Sequence, residues 1–254
     1  MVLNCLVLEP PGQRSIAAMA ENQGNFTDPS TEIQEKLLDA ALMHVTFDGW
    51  TPATWDASVA DSGVDSTLAE ALFPRRAVDL AVAYHKRGDA MMLARLKEAD
   101  LGSLRFRDRV AAAVRYRLEA VEDKEAVRRG ATLFALPQHA AEGAKLIWGT
   151  ADAIWTALGD TSEDANWYTK RATLSGVYSS TVLFWLGDDS PEHQASWAFL
   201  DRRIDNVMQF ESLKAQVNKN PLLKPLLAGP NWLMSHVRAP ERREDLPGRW
   251  QPRA

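Results

Sequence analysis

The sequence DSGVDSTLAEALFP, residues 61–74, contains the turn that is most informative about the fold. Ser62-Gly63 favours a tight turn, because glycine adopts left-handed backbone angles without a steric penalty. A short helix is predicted from Asp65 to Leu72, and Phe73-Pro74 ends it because proline cannot continue a helix. Thr51-Pro52 predicts the cap and first turn of another short helix just before it. Two short helices joined by so brief a turn are typical of a helix-turn-helix unit.

Longer helices are predicted on both sides of this unit. Before it, Ser30 or Thr31 caps a helix that Asp48-Gly49 ends. One apolar stripe runs along that helix and comprises Ile33, Leu37, Leu38, Ala41, Leu42 and Val45. After the unit, a helix is predicted from about Arg75 to Lys97.

The remainder of the chain has the pattern of a helical bundle, because apolar residues recur at helical spacing. Helices are predicted over residues 104–121, 124–134, 137–158, 164–186 and 191–214. In the first of them, we expect the arginines on the solvent-facing sides, namely Arg105, Arg109, Arg115 and Arg117. The chain is therefore predicted to be all-α.

Charge and cysteine content narrow the class of protein. The 254 residues carry a formal net charge of −5. DNA affinity comes mainly from Lys and Arg that neutralise phosphates, so this balance argues mildly against nucleic-acid binding. Cys5 is the single cysteine, which excludes an intrachain disulfide and a multi-cysteine zinc site. The longest uncharged stretch, residues 172–187, is shorter than the roughly 20 residues that a spanning helix needs.

Residues 61–74 resemble the turn and recognition helix of the TetR family. The resemblance implies an N-terminal helix-turn-helix three-helix unit and a C-terminal ligand-binding helical bundle. The recognition helix departs from that family, because Glu70 stands where a tyrosine is usual and no Lys or Arg lies between Asp65 and Phe73. Acidic side chains are repelled by the phosphate backbone. We therefore expect no DNA reading by this helix and no nucleic-acid partner.

A second resemblance lies within the bundle. The stretch NWYTKRATL, residues 166–174, continues to Val177-Tyr178. After it come Asp189-Ser190-Pro191, Trp197-Ala198-Phe199-Leu200 and Arg203-Ile204. These residues resemble the signature of the coenzyme Q biosynthesis protein nine family, which are TetR-like accessory proteins of ubiquinone synthesis. Ala40-Ala41-Leu42, Gly49-Trp50-Thr51 and Leu136-Pro137 also fit that family, so the resemblance covers roughly residues 32–217.

This resemblance implies a lipid-binding accessory protein that is not an enzyme. Such proteins bind an isoprenoid quinone intermediate or another lipid, such as a phospholipid, and form homodimers. They dock onto the di-iron hydroxylase that acts on demethoxyubiquinone, through a surface centred here on Trp167 and Tyr168. Asp164 and Arg171 lie near the same helical face, at spacings of three and four from Trp167. We expect no cofactor other than the bound lipid.

Apolar residues on the bundle helices are the candidates for lining the lipid cavity. They are Leu133, Leu136, Ile147, Trp148, Ile154, Trp155, Leu174, Val177, Tyr178 and Val182. An indole fills an ordinary core as readily as it lines a cavity, so the choice among them depends on the resemblance.

The apolar segment at residues 221–237 has a basic fringe, which suits an interfacial helix lying on anionic lipid. Membrane contact is predicted for Leu222, Leu223, Leu226, Leu227, Trp232 and Leu233. Pro225 and Pro230 divide the segment into two short pieces. The alternative is an arm that packs on the bundle or on a second subunit.

Catalytic and metal-binding motifs are missing from the sequence. None of the histidines has a Glu three residues before it, as the Glu-x-x-His motif of a di-iron carboxylate site requires. Neither a Gly-rich phosphate loop nor a nucleophile elbow is found. We therefore predict no catalytic residues and no metal site.

These observations divide the chain into four parts. Residues 1–30 are expected to be disordered or to include a mis-assigned start, with Met19 as the alternative first residue. Residues 31–97 form the helix-turn-helix region, 98–217 the lipid-binding bundle, and 218–254 the membrane-contact segment and tail. The pattern of a signal or transit peptide is lacking, so we expect a cytoplasmic protein, peripheral at a bacterial inner membrane. The alternatives are a TetR-type regulator with a lipid effector, and an enzyme that uses the cavity.

Overall fold

The computed structural model describes residues 28–219 and 239–240. Within these ranges the chain forms nine α-helices and no strand, so the all-α prediction is confirmed. A 3-10 turn at Pro191–His193 precedes the last helix. The helices are α1 (Pro29–Asp48), α2 (Pro52–Ser62), α3 (Ser66–Leu72), α4 (Ala77–Glu98), α5 (Phe106–Glu119), α6 (Lys124–Ala135), α7 (Ala140–Ala157), α8 (Ala165–Leu186) and α9 (Gln194–Lys219).

Side chains at the helix starts explain where the N-terminal helices begin. Asp28 caps α1 by accepting a hydrogen bond from the Ser30 N–H, so the predicted cap at Ser30 or Thr31 was wrong by two or three residues. Thr51 caps α2, and Gly63 follows that helix with a left-handed φ of 64°. Asp65 caps α3 by accepting from two backbone N–H groups. Short polar side chains at these positions satisfy the donors that a helix leaves unpaired.

Two later helices begin beyond their predicted starts. α4 begins at Ala77 instead of Arg75, because Arg76 has a φ of 51° that no right-handed helix accommodates. α7 begins at Ala140 instead of Pro137, because the backbone of Leu136 to His139 closes a turn with a hydrogen bond of 2.9 Å.

Two hydrophobic clusters hold the helices together, and α4 links them. The first cluster lies around Leu37, Trp55 and Leu80, between α1, α2 and α4. The second cluster lies around Met92 and Ile154 and packs α4 against α5, α7, α8 and α9. Each fully buried leucine contributes about 2 kcal/mol to folding.

Two hydrogen bonds also join the helix-turn-helix region to the bundle. The indole of Trp50 donates to the Ala126 carbonyl at 3.1 Å, and Thr46 donates to Asp123 at 2.8 Å.

Several sequence predictions fall outside this part of the chain. The segment 1–27 and the membrane-contact residues Leu222, Leu223, Leu226, Leu227, Trp232 and Leu233 lie outside the described residues. Among the helices that are described, none has the length and apolar character required to cross a bilayer.

Candidate functional site

A cavity of about 410 Å³ opens between α4, α5, α6, α7 and α8. Its walls are mostly apolar, and many positions are alanine or glycine, such as Ala131 on α6 and Ala144 on α7. Such small side chains do not reach across the gap between helices, which is why space remains there. Larger apolar side chains complete the wall, namely Trp50, Leu118, Val121, Val127, Phe134, Leu146, Ile147, Val182 and Leu183.

Three of the residues predicted to bind lipid line this cavity, namely Ile147, Tyr178 and Val182. Ile154, Leu174 and Val177 are buried in the second hydrophobic cluster instead. Leu133 packs against the first cluster, and Leu136 is exposed. Helical periodicity identifies the apolar stripe of each helix, but only part of each stripe faces the gap.

The two predicted tryptophans lie away from the cavity wall. Trp155 stacks on Phe106 with ring centroids 5.4 Å apart, and its indole donates to the Lys170 carbonyl at 3.1 Å. Trp148 belongs to a surface cluster of aromatic rings on α7 and α8.

One end of the cavity is polar. We define the polar cluster as His85, Asp89, Arg117, Thr150 and Tyr178. Arg117 donates from Nε to Asp89 at 2.6 Å and from Nη2 to the His85 carbonyl at 2.9 Å. The Oγ1 of Thr150 lies 2.9 Å from both the Nε2 of His85 and a carboxylate oxygen of Asp89. Tyr178 on α8 is hydrogen-bonded to the Thr150 side chain. The cluster therefore joins α4, α5, α7 and α8 at the cavity, with His85, Arg117 and Tyr178 in its lining.

Two of these groups are uncharged near neutral pH. Burial lowers the pKa of His85 to about 4, against a smaller opposing effect of Asp89. Burial likewise raises the pKa of the Tyr178 hydroxyl above its ordinary value. At neutral pH the cavity therefore presents a neutral imidazole and a neutral phenol.

Arg117 corrects a sequence prediction. We expected it on a solvent-facing side of its helix, but it is buried with 4% of its surface exposed. The signal was present in the sequence, because Val110, Ala113 and Val114 lie seven, four and three residues before it on the same apolar stripe. His85 and Asp89, one turn apart on α4, were missed because the groups that complete the cluster, Thr150 and Arg117, come from other helices.

The aromatic patch consists of Trp148, Trp167 and Tyr168, all of them partly exposed. The rings of Trp167 and Tyr168 meet edge to face with centroids 4.7 Å apart. Trp148 on α7 lies 6.0 Å from Trp167 and 6.4 Å from Tyr168. The patch thus bridges α7 and the first turn of α8, and two of its three residues form the predicted docking pair.

Arg171 lies beneath this patch and is fully buried. Its guanidinium carbon lies 4.0 Å from the centroid of the Trp167 ring, a cation–π contact. It donates to Asp152 at 2.5 Å and to Asp160 at 2.9 Å. The prediction that Arg171 lies on the docking surface is therefore corrected: it supports Trp167 from below and is not accessible to a partner. Asp164 is exposed and caps α8 through the Asn166 N–H.

Asp160 is the anchor of this buried network. Burial opposes its ionisation, but hydrogen bonds from Lys170, Arg171 and Ser162 outweigh it and lower the pKa of Asp160 to about 2. Lys170 donates to the same carboxylate at 2.7 Å. The loop before α8 is therefore held by two cations around one buried carboxylate.

The helix-turn-helix face carries acids where DNA readers carry bases. On α3, Glu70 pairs with Arg76 at 2.7 Å, and Asp65 is used as the cap.

Among the described residues, no group of three or more His, Cys, Asp or Glu side chains could hold a metal ion.

Comparisons with known proteins place these features in a family context. A sequence model of the COQ9 family matches residues 140–211, which include α7, α8 and the aromatic patch. The mitochondrial ubiquinone biosynthesis protein COQ9 of Drosophila melanogaster is 33% identical over 189 residues, which cover 72% of this chain and 58% of that protein. The protein of the same name from Rattus norvegicus is 30% identical over 197 residues, covering 73% of this chain and 62% of its own. The chain thus spans about three fifths of the length of these relatives.

A solved structure shows the fold. The TetR transcriptional regulator from Nitrosomonas europaea ATCC 19718 superposes with a TM-score of 0.57 at 19% identity, covering 68% of this chain and 96% of that one. The TetR-like fold and the resemblance to the COQ9 family are thereby confirmed.

Proposed function

We propose that this chain is a lipid-binding accessory protein of ubiquinone biosynthesis, and not an enzyme. In this proposal the cavity binds an isoprenoid quinone intermediate, and the protein presents it to the di-iron demethoxyubiquinone hydroxylase. The observation that carries the proposal is the largely apolar cavity within a chain that is similar to COQ9 proteins.

The size and lining of the cavity support lipid binding. Its volume of about 410 Å³ lies in the range of roughly 300–1,000 Å³ that is common for ligand pockets. Transfer of a hydrocarbon tail from water to such a wall is favourable by about 25 cal/mol per Å². A tail bound here needs no catalytic group, so carriage is the simplest activity that this geometry supports.

The aromatic patch supports docking to a protein partner. Partly exposed Trp and Tyr side chains are enriched at interface hot spots, because they offer a large contact area at a low cost in side-chain entropy. Trp167 is held in place by the buried Arg171, so its ring is already ordered before a partner arrives. We propose that the patch contacts the hydroxylase.

Three further elements belong to the proposal. The segment 218–254 would take up lipid at the membrane surface, which places the protein peripherally at a bacterial inner membrane. A homodimer is proposed from the resemblance to TetR-like proteins.

A regulator that binds DNA is disfavoured by the acidic α3 and its lack of basic residues.

Native mass spectrometry of the gently purified full chain tests lipid binding. We expect the wild type to carry a quinone or a phospholipid that solvent extraction identifies. Ala131→Trp fills the cavity from α6 and should leave the protein empty. Thr132→Trp, at an exposed neighbouring position, is the control and should keep its lipid. Wild-type protein that stays empty after incubation with quinone-containing vesicles would contradict the proposal.

A further inference from the structure

The polar end of the cavity has no role in holding a hydrocarbon tail. We infer that His85 and Arg117 recognise the hydroxyl group of an uncharged ring head group, such as a phenol or a quinol. This inference rests on the proposed lipid-binding function, because it uses the same cavity and assigns the orientation of the ligand within it.

The positions of the protons around Thr150 determine which ring nitrogen of His85 can accept a hydrogen bond from a ligand. The Oγ1 of Thr150 lies 2.9 and 3.1 Å from the carboxylate oxygens of Asp89 and 3.2 Å from the Leu146 carbonyl. These are acceptors, so the single hydroxyl proton of Thr150 points toward them. Two neighbours remain, the Nε2 of His85 at 2.9 Å and the hydroxyl of Tyr178. The two lone pairs of the Thr150 oxygen accept from both of them, so His85 donates from Nε2.

A neutral imidazole with its proton on Nε2 has a lone pair on Nδ1. The ring is neutral because burial lowers the pKa of His85 to about 4. The His85 side chain is 19% exposed, and His85 is one of the residues that line the cavity. His85 therefore provides an acceptor, for which the matching ligand group is an O–H donor.

A donor stands beside this acceptor. Tyr178 does not supply it, because its hydroxyl is already hydrogen-bonded to the Thr150 side chain. Arg117 has five N–H groups, and its bonds to Asp89 and to the His85 carbonyl leave donors on Nη1. A ligand hydroxyl both donates and accepts, so it can satisfy His85 together with Arg117. A ring that carries only carbonyl oxygens offers His85 no donor, so the quinone intermediate of the proposed function would bind here in its reduced, quinol form.

The charge of the polar cluster selects against ionic head groups. Among the described residues that line the cavity, Arg117 is the one with a formal charge, and Asp89 neutralises it at 2.6 Å. A phosphate or carboxylate head group would therefore bring an uncompensated charge into a poorly solvated site, which is costly. The cluster thus suits a neutral ring hydroxyl and disfavours a fatty acid, and a phospholipid would have to keep its phosphate away from the polar end.

A matched pair of probes tests the inference with the full-length wild-type chain. 4-Nonylphenol and 4-nonylanisole differ only in the hydroxyl proton that the anisole replaces with a methyl group. We expect calorimetry to show about tenfold tighter binding of the phenol, because the ether leaves a buried acceptor unpaired. Decanoate, which is charged at neutral pH, should bind more weakly than the phenol. Equal affinity for phenol and ether would overturn the inference.

Two variants assign the preference to His85. His85→Phe keeps a planar ring but removes the acceptor, so we expect it to bind both probes with the affinity of the ether. Ser179→Ala removes another hydroxyl of the cavity wall, one that is already bonded to the Ser175 carbonyl, and should keep the preference for the phenol. Retention of the preference in a folded His85→Phe protein would also overturn the inference.

The outcomes separate this inference from the proposed function. If both probes bind equally, the cavity takes lipid but the polar end does not select the head group. If neither probe binds, the lipid-binding proposal fails together with the inference. Thermal unfolding monitored by circular dichroism shows whether each variant is folded. If His85→Phe does not fold, the comparison of phenol and ether binding to the wild type still tests the inference.

Discussion

Helices α7 and α8 contribute both to the cavity and to the aromatic patch, yet the space between helices is filled in opposite ways in the two regions. Around the cavity, Ala131 on α6 and Ala144 on α7 are among the small side chains that line the open space. At the patch, Trp148 and Trp167 meet across the helices, and the long side chain of Arg171 fills the space beneath.

This difference assigns different tasks to the two regions. A wall of small apolar side chains gains free energy only when a guest supplies the missing contacts. A patch supported by a buried, fully paired arginine presents the same surface whether or not a guest is bound. We therefore expect substitutions at the patch to change folding and docking, and substitutions at the cavity to change ligand binding.

The largest effect is expected from Asp160→Asn. This change removes a buried carboxylate from between Lys170 and Arg171 and should lower the free energy of unfolding by about 3 kcal/mol. Urea denaturation measures it. Asp164→Asn is the matched control on the same loop, and should change stability little because asparagine caps a helix as well as aspartate. Similar losses in the two variants would show that Asp160 has no special role.

The same carboxylate predicts a pH dependence. Because the pKa of Asp160 in the folded state is lowered from 3.8 to about 2, its contribution to stability is present above about pH 4 and lost as the pH falls toward 2. Asp160→Asn should therefore lose less stability than the wild type between those values. Hydrogen bonds from Ser196 and Ser190 lower the pKa of Asp188 as well, but that group is unchanged in the variant. Parallel stability curves for the two proteins would contradict this assignment.

Docking should depend on Trp167 and not on the cavity. Trp167→Ala is expected to weaken binding to the hydroxylase about 30-fold, the loss of roughly 2 kcal/mol that is common for a hot-spot residue. Phe47→Ala is the control, since Phe47 is 82% exposed on α1 and lies outside the patch. Surface plasmon resonance measures both variants. Equal affinities of the two would place the docking surface elsewhere.

The smallest expected effects are changes in the free energy of unfolding when either of two helical glycines is replaced by alanine. A Cβ at Gly88 would lie 2.4 Å from the Nη1 of Arg117, whose guanidinium is held by Asp89. Gly88→Ala should therefore lower stability, although alanine favours the helix. At Gly149 on α7 nothing lies within 4 Å, so Gly149→Ala should raise the free energy of unfolding by about 0.8 kcal/mol. Stabilisation by both changes would show that Arg117 is not fixed against α4.

The helices could be predicted from sequence because their signals are local. Capping residues, prolines and apolar stripes lie within the helix that they define, so α8 was predicted from Asp164 to Leu186 and begins one residue later. The start of α4 was missed because the left-handed backbone of Arg76 has no marker such as glycine. The acidic α3 was likewise evident from the sequence alone.

The site could be predicted only in part, because it depends on distances between helices. The spacing of Trp167 and Arg171 places them near one helical face, but the burial of Arg171 is due to Asp152 and Asp160 from other segments. The gap that forms the cavity likewise depends on small residues of several helices facing each other. Ile147 was therefore predicted at the cavity together with Ile154, which is buried in the core.

The most direct test of carriage is the turnover of purified hydroxylase with demethoxyubiquinone embedded in vesicles. We predict that the wild-type chain raises the rate. Ala131→Trp should bind the hydroxylase with wild-type affinity, because the patch is intact, and yet fail to raise the rate, because the cavity is filled. Stimulation by Ala131→Trp equal to that of the wild type would contradict the account, since the cavity would then play no part in delivering the substrate.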